Sequence, residues 1–310
     1  MRLHVLYRSS GGENAKPRPP FHDKRVSLAS FLRAVSTVPD VDLTFVNNGP
    51  QPADRLELMQ ATGAPVLQIV APGGRASLRW ALQHAMAADW ADDDMVYLVE
   101  DDYLHTPDAL ARLDAAMRAL PEVAYLMTYG STPGLPVGTA EHYAEITPDD
   151  WRPGVPATVD GRTWRPALAP TSTFAVRVGA LREDYRLFLQ AHLPYRSHYL
   201  DLQLGLVWQG YEPYRWSDVA REAVGLRGGG LKGRLVGISE APFKAAFNLR
   251  SHRRPSRRRL VYVAEPNLAT HVEVDLLAQG EDWEFIARDA QKWLDEGAPG
   301  LDRAAVRVAP

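Results

Sequence analysis

The stretch Met95-Val96-Tyr97-Leu98-Val99-Glu100-Asp101-Asp102-Tyr103-Leu104-His105 decides how this chain is read. Met95 to Val99 is an unbroken run of apolar and aromatic residues, the pattern of a short strand buried on both faces. Three carboxylates follow at once. Carboxylates do not continue into a core without partners, so the chain must surface there. Adjacent like charges repel, and a divalent cation is the usual remedy. Thr106-Pro107-Asp108 then has the form of a helix start, with Thr as N-cap, Pro at the first helical position and an acid in the first turn. The acids are therefore expected at the carboxyl end of a central strand, where open α/β sheets bind ligands. A solvated acidic turn is the competing reading.

Working outward, Leu3–Tyr7 reads as the first strand, left by the polar loop Arg8-Ser-Ser-Gly-Gly-Glu-Asn14 and an extended proline stretch at Pro17, Pro19 and Pro20. A helix from near His22 shows an apolar face at Leu28, Phe31, Leu32 and Val35. Val41–Val46 and a buried Val66–Val70 are the next strands, and Leu56–Thr62 and Arg75 to Ala88 the next helices. Strands alternating with helices to Asp102 imply a parallel sheet of Rossmann-like type. Further on, Pro107–Leu120, Val178–Gln190, Tyr199–Gln209 and Asp282–Leu294 read as helices, and Val123–Thr128, Thr173–Val176 and Leu260–Val263 as strands. Residues 130–170 read as a long irregular stretch and 225–259 as a mobile basic segment, with Pro266–Glu273 a polar-tipped turn.

The chain has 310 residues, 45% hydrophobic and 24% charged, and is long enough to bury a real core. Its formal net charge of −3 gives no general attraction to nucleic acid. No cysteine is present, which excludes disulfides, thiolate zinc sites and a cysteine nucleophile. No apolar run reaches the length of a membrane span, and the chain opens on a strand instead of a signal peptide, so a cytoplasmic enzyme or binding protein is expected. GxxxxGK[ST] is absent, and no GxGxxG follows the first strand, so neither a P-loop nor a dinucleotide-binding turn is expected. The density of hard oxygen ligands suits magnesium or manganese better than zinc.

The order of elements, Glu100-Asp101-Asp102, Asp201 in the second half and the late Thr270-His271 together resemble the GT-A glycosyltransferases, most closely bacterial family-2-like members, over roughly Leu3 to His271. The resemblance implies one GT-A-like α/β domain with a mixed, mostly parallel sheet. Its nucleotide-sugar half would end near residue 102, and its acceptor half would run from 103 to 310. It implies a metal-dependent transfer of sugar from a nucleotide-sugar donor to an acceptor, with Mn2+ or Mg2+ held by a DxD-type motif. Asp102 and His271 would ligate the metal, and Glu100 and Asp101 would face the donor. Tyr7, Arg8, Ser9 and Asn47 would hold the nucleotide, with Arg75 reaching the pyrophosphate. Asp201 would be the base of an inverting reaction, with His198 the nearest substitute. The chain departs from the pattern in three places: Glu100 replaces the first Asp, Leu200 precedes Asp201, and Asn47-Asn48 replace an acid after the second strand. Trp151, Trp164 and Tyr199 are candidates for stacking an acceptor sugar, with core packing the competing role. The basic run within 250–259 is a candidate for contact with a diphosphate, an anionic acceptor or an acidic membrane surface, with a solvated loop the alternative. Two rival functions share the architecture: a sugar-phosphate nucleotidyltransferase and a non-catalytic nucleotide-sugar-binding protein.

Overall fold

The first apolar run, Leu3–Ser10 (β1), pairs in parallel with Val41–Asn48 (β2) on one side and Met95–Glu100 (β4) on the other. The computed structural model describes residues 1–130, 147–152, 154–168, 170–171, 173–191, 201–252 and 258–301, with 201 and 252 described in backbone only. Within these residues the sheet continues through Val66–Ile69 (β3), Val123–Met127 (β6), Ala157–Val159 (β7), Arg162–Pro166 (β8), Phe174–Arg177 (β9) and Leu260–Glu265 (β10). The order is β3-β2-β1-β4-β9-β6-β10-β8-β7. Only β9 and β8 run against the common direction. This is the mixed, mostly parallel, GT-A-like (Rossmann-like) sheet expected from the sequence.

Alternation along the central strands feeds two cores. Leu3, Val5, Tyr7, Met95, Tyr97 and Val99 point to one face, and Leu6, Val96 and Leu98 to the other. The first face is covered by Lys24–Val35 (α1), with Ala53–Ala61 (α2) contributing Met59, by Ala109–Ala119 (α4) and by the last helix, Trp283–Asp295 (α9). The second face is covered by Gly74–Ala87 (α3), Val178–Ala191 (α5) and Asp201–Trp208 (α6). Asp23 caps α1 through Arg25 N, and Asp282 caps α9 through Phe285 N.

Five expectations need correction. Thr106 is not the cap of α4: its hydroxyl donates to Asp108 Oδ1 and its amide to Leu268 O, because Tyr103–His105 forms a strand (β5) paired antiparallel with Ala269–His271 (β11). The turn expected at Pro266–Glu273 therefore contains a strand. Strand β3 is the sheet edge and half-exposed, not fully buried. Residues 130–170 are not irregular throughout, since β7 and β8 form a hairpin turning at Asp160-Gly161, both at positive φ. Residues 131–146 lie outside the described residues. The basic segment 225–259 is largely a helix, Gly230–His252 (α8), preceded by Trp216–Ala223 (α7). Gly233, Gly237 and Pro242 lower its intrinsic helix propensity, while buried Ala241 and Phe247 anchor it.

Trp208 is fully buried, stacked on Tyr125 at 4.0 Å and packed against Phe174 and Phe188. Trp208→Ala is expected to cost about 3–5 kcal/mol in urea unfolding. His105 sits in the core, sharing a hydrogen bond with Tyr97 Oη at 3.0 Å, and burial pushes it down to about 3 from 6.5. Between those values the unfolded chain binds a proton that the folded chain refuses, so His105 makes stability fall as pH drops from 6.5 toward 3. Unfolding free energies at pH 7 and pH 5 should therefore differ less in His105→Gln than in the unsubstituted protein.

Candidate functional site

The parallel register brings three strand ends together. Arg8 lies opposite both Val46 and Glu100, Ser9 opposite Asn47, and Ser10 opposite Asn48. The carboxyl ends of β1, β2 and β4 open on a cleft of about 1010 Å³. Its walls include Arg8, Ser9, Lys24, Gln51, the acidic triplet and His271. The loop after β1 can follow this path because Gly11 has no side chain, since a Cβ there would meet Pro50 O at 2.0 Å.

Each acid of the triplet is met by a separate basic group. Arg8 Nη2 donates to Glu100 Oε1 at 2.7 Å. Lys24 Nζ donates to Asp101 Oδ2 at 3.0 Å, and Ser10 N donates to the same oxygen at 2.8 Å. Arg18 Nη2 donates to Asp102 Oδ2 at 2.9 Å, and His271 Nε2 lies 2.9 Å from that oxygen. His271 arrives through the β5–β11 ribbon, which sets it opposite Tyr103 with the two rings stacked at 4.9 Å. Arg18 is held in turn by the Val272 carbonyl at 2.6 Å. The acids are thus neither bare to solvent nor dependent on a metal for their charge balance.

Environment separates the two aspartates. Burial pushes Asp101 up to about 6, opposed by the charge of Lys24 and the Ser10 amide. Burial also raises Asp102, but the hydrogen bonds and charges of His271 and Arg18 outweigh it and hold that carboxyl well below the usual range. Asp102 is therefore the more acidic member of the pair. Glu273 completes a trio with Asp102 and His271 whose ligand atoms lie within 4.8 Å of one another. An imidazole and two carboxylates on this scale could hold a metal ion. Arg18 already uses Asp102 Oδ2, so a cation bound there would have to displace its guanidinium.

Other residues singled out by sequence fall into three groups. Arg8, Ser9, Glu100, Asp101, Asp102 and His271 all line the cleft. Tyr7, Asn47, Trp151 and Trp164 do not. Tyr7 packs between Phe31 and Phe45 in the core, because its position in β1 turns it away from the strand ends. Asn47 is fully buried and accepts from Ser9 Oγ at 2.5 Å. Trp164 is wholly buried, and Trp151 packs with Leu168, Leu206 and Tyr211 while donating to Gln209 Oε1 at 3.0 Å. Both tryptophans take the packing role. Arg75 is half-buried in the first turn of α3, whose Gly73, Gly74 and Ser77 reach the cleft instead. Asp201 opens α6 and is described in backbone only, and His198 and Tyr199 lie outside the described residues.

Sequence reading missed Arg18, Lys24, Gln51 and Glu273. Arg18 and Lys24 sit in a proline-rich loop and a helix start, where nothing local marks them as partners of acids some eighty residues away. Gln51 carries the clearest trace of an unfilled role, since neither atom of its buried amide has a hydrogen-bond partner among the described residues. Of the basic run, Arg259 is bound internally, donating to Asp184 and to Glu183 Oε2 at 2.6 Å, and Arg258 lies over the Tyr211 ring. Residues 253–257 lie outside the described residues.

No protein-family model matches the sequence, and no curated protein matches it. Among solved structures, residues 1–349 of Staphylococcus aureus TarS in complex with UDP are 14% identical, with a TM-score of 0.39, over 67% of this chain and 54% of that one. CMP:2-keto-3-deoxy-manno-octonic acid synthetase complexed with CTP is 13% identical, with a TM-score of 0.36, over 60% and 78%. The 4-diphosphocytidyl-2C-methyl-D-erythritol synthase of Anaerococcus prevotii is 11% identical, with a TM-score of 0.34, over 64% and 80%. The chain spans about half the length of the TarS structure. Likeness at this level assigns no role to a residue. Fold and cleft together define an α/β protein with a mixed, mostly parallel sheet whose candidate site combines carboxylates, one imidazole and several cations.

If Arg18 and a metal compete for Asp102, Arg18→Gln should bind Mn2+ several-fold more tightly than the unsubstituted protein in calorimetry. Asp102→Asn should abolish the heat of binding.

Proposed function

We propose that this protein is a metal-dependent glycosyltransferase that uses a nucleotide-sugar donor. The observation that carries the reading is the convergence, at the carboxyl ends of parallel strands, of the Asp102–His271–Glu273 trio with the cations Arg8, Arg18 and Lys24. A nucleoside diphosphate needs both: cations for its phosphates, and carboxylates for the metal that accompanies them. Glu100 and Gln51 offer hydrogen-bonding groups to the nucleoside or sugar at the cleft wall. A divalent cation held by Asp102 and His271 would supply charge neutralisation as the diphosphate leaves.

Asp201 is the proposed base. Its carboxylate takes the acceptor hydroxyl proton, the acceptor oxygen forms a bond to the anomeric carbon, and the bond from that carbon to the diphosphate oxygen breaks. The electron pair leaves with the nucleoside diphosphate, and the configuration inverts. Asp201 is the first described residue of α6, Asp201–Trp208.

One observation favours the rival nucleotidyltransferase. The loop after β1 supplies Gly11-Gly12 together with Lys16 and Arg18, and Lys24 at the start of α1 donates from Nζ to Gly12 O at 2.7 Å. Glycines and cations after the first strand suit a triphosphate as well as a diphosphate.

Incubation with a panel of nucleotide sugars, with and without Mn2+, separates the readings. Slow metal-dependent release of a nucleoside diphosphate from one donor supports transfer. Pyrophosphate release from a nucleoside triphosphate plus a sugar phosphate assigns the rival, and an absence of turnover with every donor removes both. Asp201→Asn is expected to retain donor affinity and lose transfer by about a hundredfold or more. Transfer near the original rate would remove Asp201 as base.

A further inference from the structure

Helices α7 and α8 form a hairpin whose root and tip have opposite characters. At the root, Phe247 and Ala241 are buried, and Asn248 donates from Nδ2 to the Tyr214 carbonyl at 2.6 Å. At the tip, Leu231, Leu235 and Ile238 recur at helical spacing on one face of α8 and are 74%, 60% and 45% exposed. Val224 and Leu226, in the turn that leaves α7, are exposed beside them, and the closeness of Gly225 to Ile238 ties that turn to the same face. Single exposed leucines are ordinary on a protein surface, but contiguous apolar residues on one tip mark a contact surface.

The charge around the tip is one-sided. Residues 221–238 contain Arg221, Arg227, Lys232 and Arg234 against one carboxylate, Glu222, in a chain whose overall charge is negative. Glu222 is already engaged by Lys244 at 2.7 Å, and Arg227 pairs with Glu240 at 2.7 Å. Arg221, Lys232 and Arg234 are exposed and have no ion-pair partner among the described residues. An apolar face rimmed by free cations is complementary to a surface with anionic headgroups over an apolar interior. A symmetric contact with a second copy would instead set this rim of cations against itself.

We propose that the α7–α8 tip docks this protein peripherally onto anionic membrane surfaces, with Leu231, Leu235 and Ile238 entering the headgroup layer and Lys232 and Arg234 meeting lipid phosphates. No helix of the described residues is long and apolar enough to cross a membrane, so this contact lies in the plane of the surface. It is independent of the transferase reading and of the basic run near residue 255. It places the cleft on a molecule held at a bilayer, where a lipid-borne acceptor would be presented.

Flotation of the whole chain with phosphatidylcholine vesicles, with or without phosphatidylglycerol, tests it without any catalytic readout. The protein should float with the anionic vesicles, stay behind with the neutral ones, and be released as salt is raised. Leu231→Gln combined with Leu235→Gln should weaken flotation by about tenfold or more. Lys232→Gln combined with Arg234→Gln should remove most of the salt dependence. Both pairs are exposed, and unchanged far-UV circular dichroism and melting temperature would show that the variants fold. Failure of the unsubstituted protein to float with anionic vesicles overturns the proposal, as does equal flotation of the double-leucine variant. A dimer in sedimentation equilibrium that the leucine substitutions dissociate would assign the tip to a second copy instead.

Discussion

Charge compensation at the ends of β1, β2 and β4 is the constraint from which the site follows. Three consecutive carboxylates at the mouth of a buried strand must each find a counter-charge, because burial without one costs several kcal/mol per group. The strand itself supplies none. Arg8 comes from the neighbouring strand through parallel register, Lys24 from the first turn of α1, and Arg18 from the loop between them. His271 comes from a ribbon formed late in the chain. The loop after β1 is therefore laid along the acids by charge, with Gly11 allowing the close pass against Pro50.

This balance has a chemical consequence. A cleft with only carboxylates would bind cations and repel phosphates, and one with only cations would do the reverse. Here the carboxylates and cations sit within hydrogen-bonding distance of one another, so either kind of ligand must take over a partner that the protein already uses. Asp102 illustrates the point, since a single oxygen faces both Arg18 and His271. Asp101 plays a different part. It is buried against the Ser10 amide and Lys24 and anchors the loop instead of reaching outward.

The second half of the chain serves the sheet more than the cleft. Trp164, Trp208, Tyr125 and Phe174 fill its core, and the two tryptophans that resembled sugar-stacking platforms are packing residues. Aromatic residues beside arginines in a proline- and glycine-rich stretch look alike in sequence whether they face solvent or a core. The Asp160-Gly161 turn was the local signal for the β7–β8 hairpin, and its positive φ angles are those that such turns demand. The long helix α8 was hidden for the opposite reason. Its glycines and Pro242 weaken helix propensity, and the packing of Phe247 and Ala241 overrides it.

Strand–helix alternation to Asp102, the mostly parallel sheet, the last helix and the emergence of three acids at a strand end were all determined by the sequence itself. These features are written in the spacing of neighbouring apolar residues and in the cost of burying charge, and both act locally. Tertiary structure decided the partners. Arg18 and Asp102 are separated by 84 residues, and Asp102 and His271 by 169. Which way Tyr7 points, which tryptophans are core, and whether the acids are met by arginine, lysine or histidine depend on register and packing between distant segments. No periodicity in a single sequence encodes those pairings, because they exist only once the strands are laid side by side.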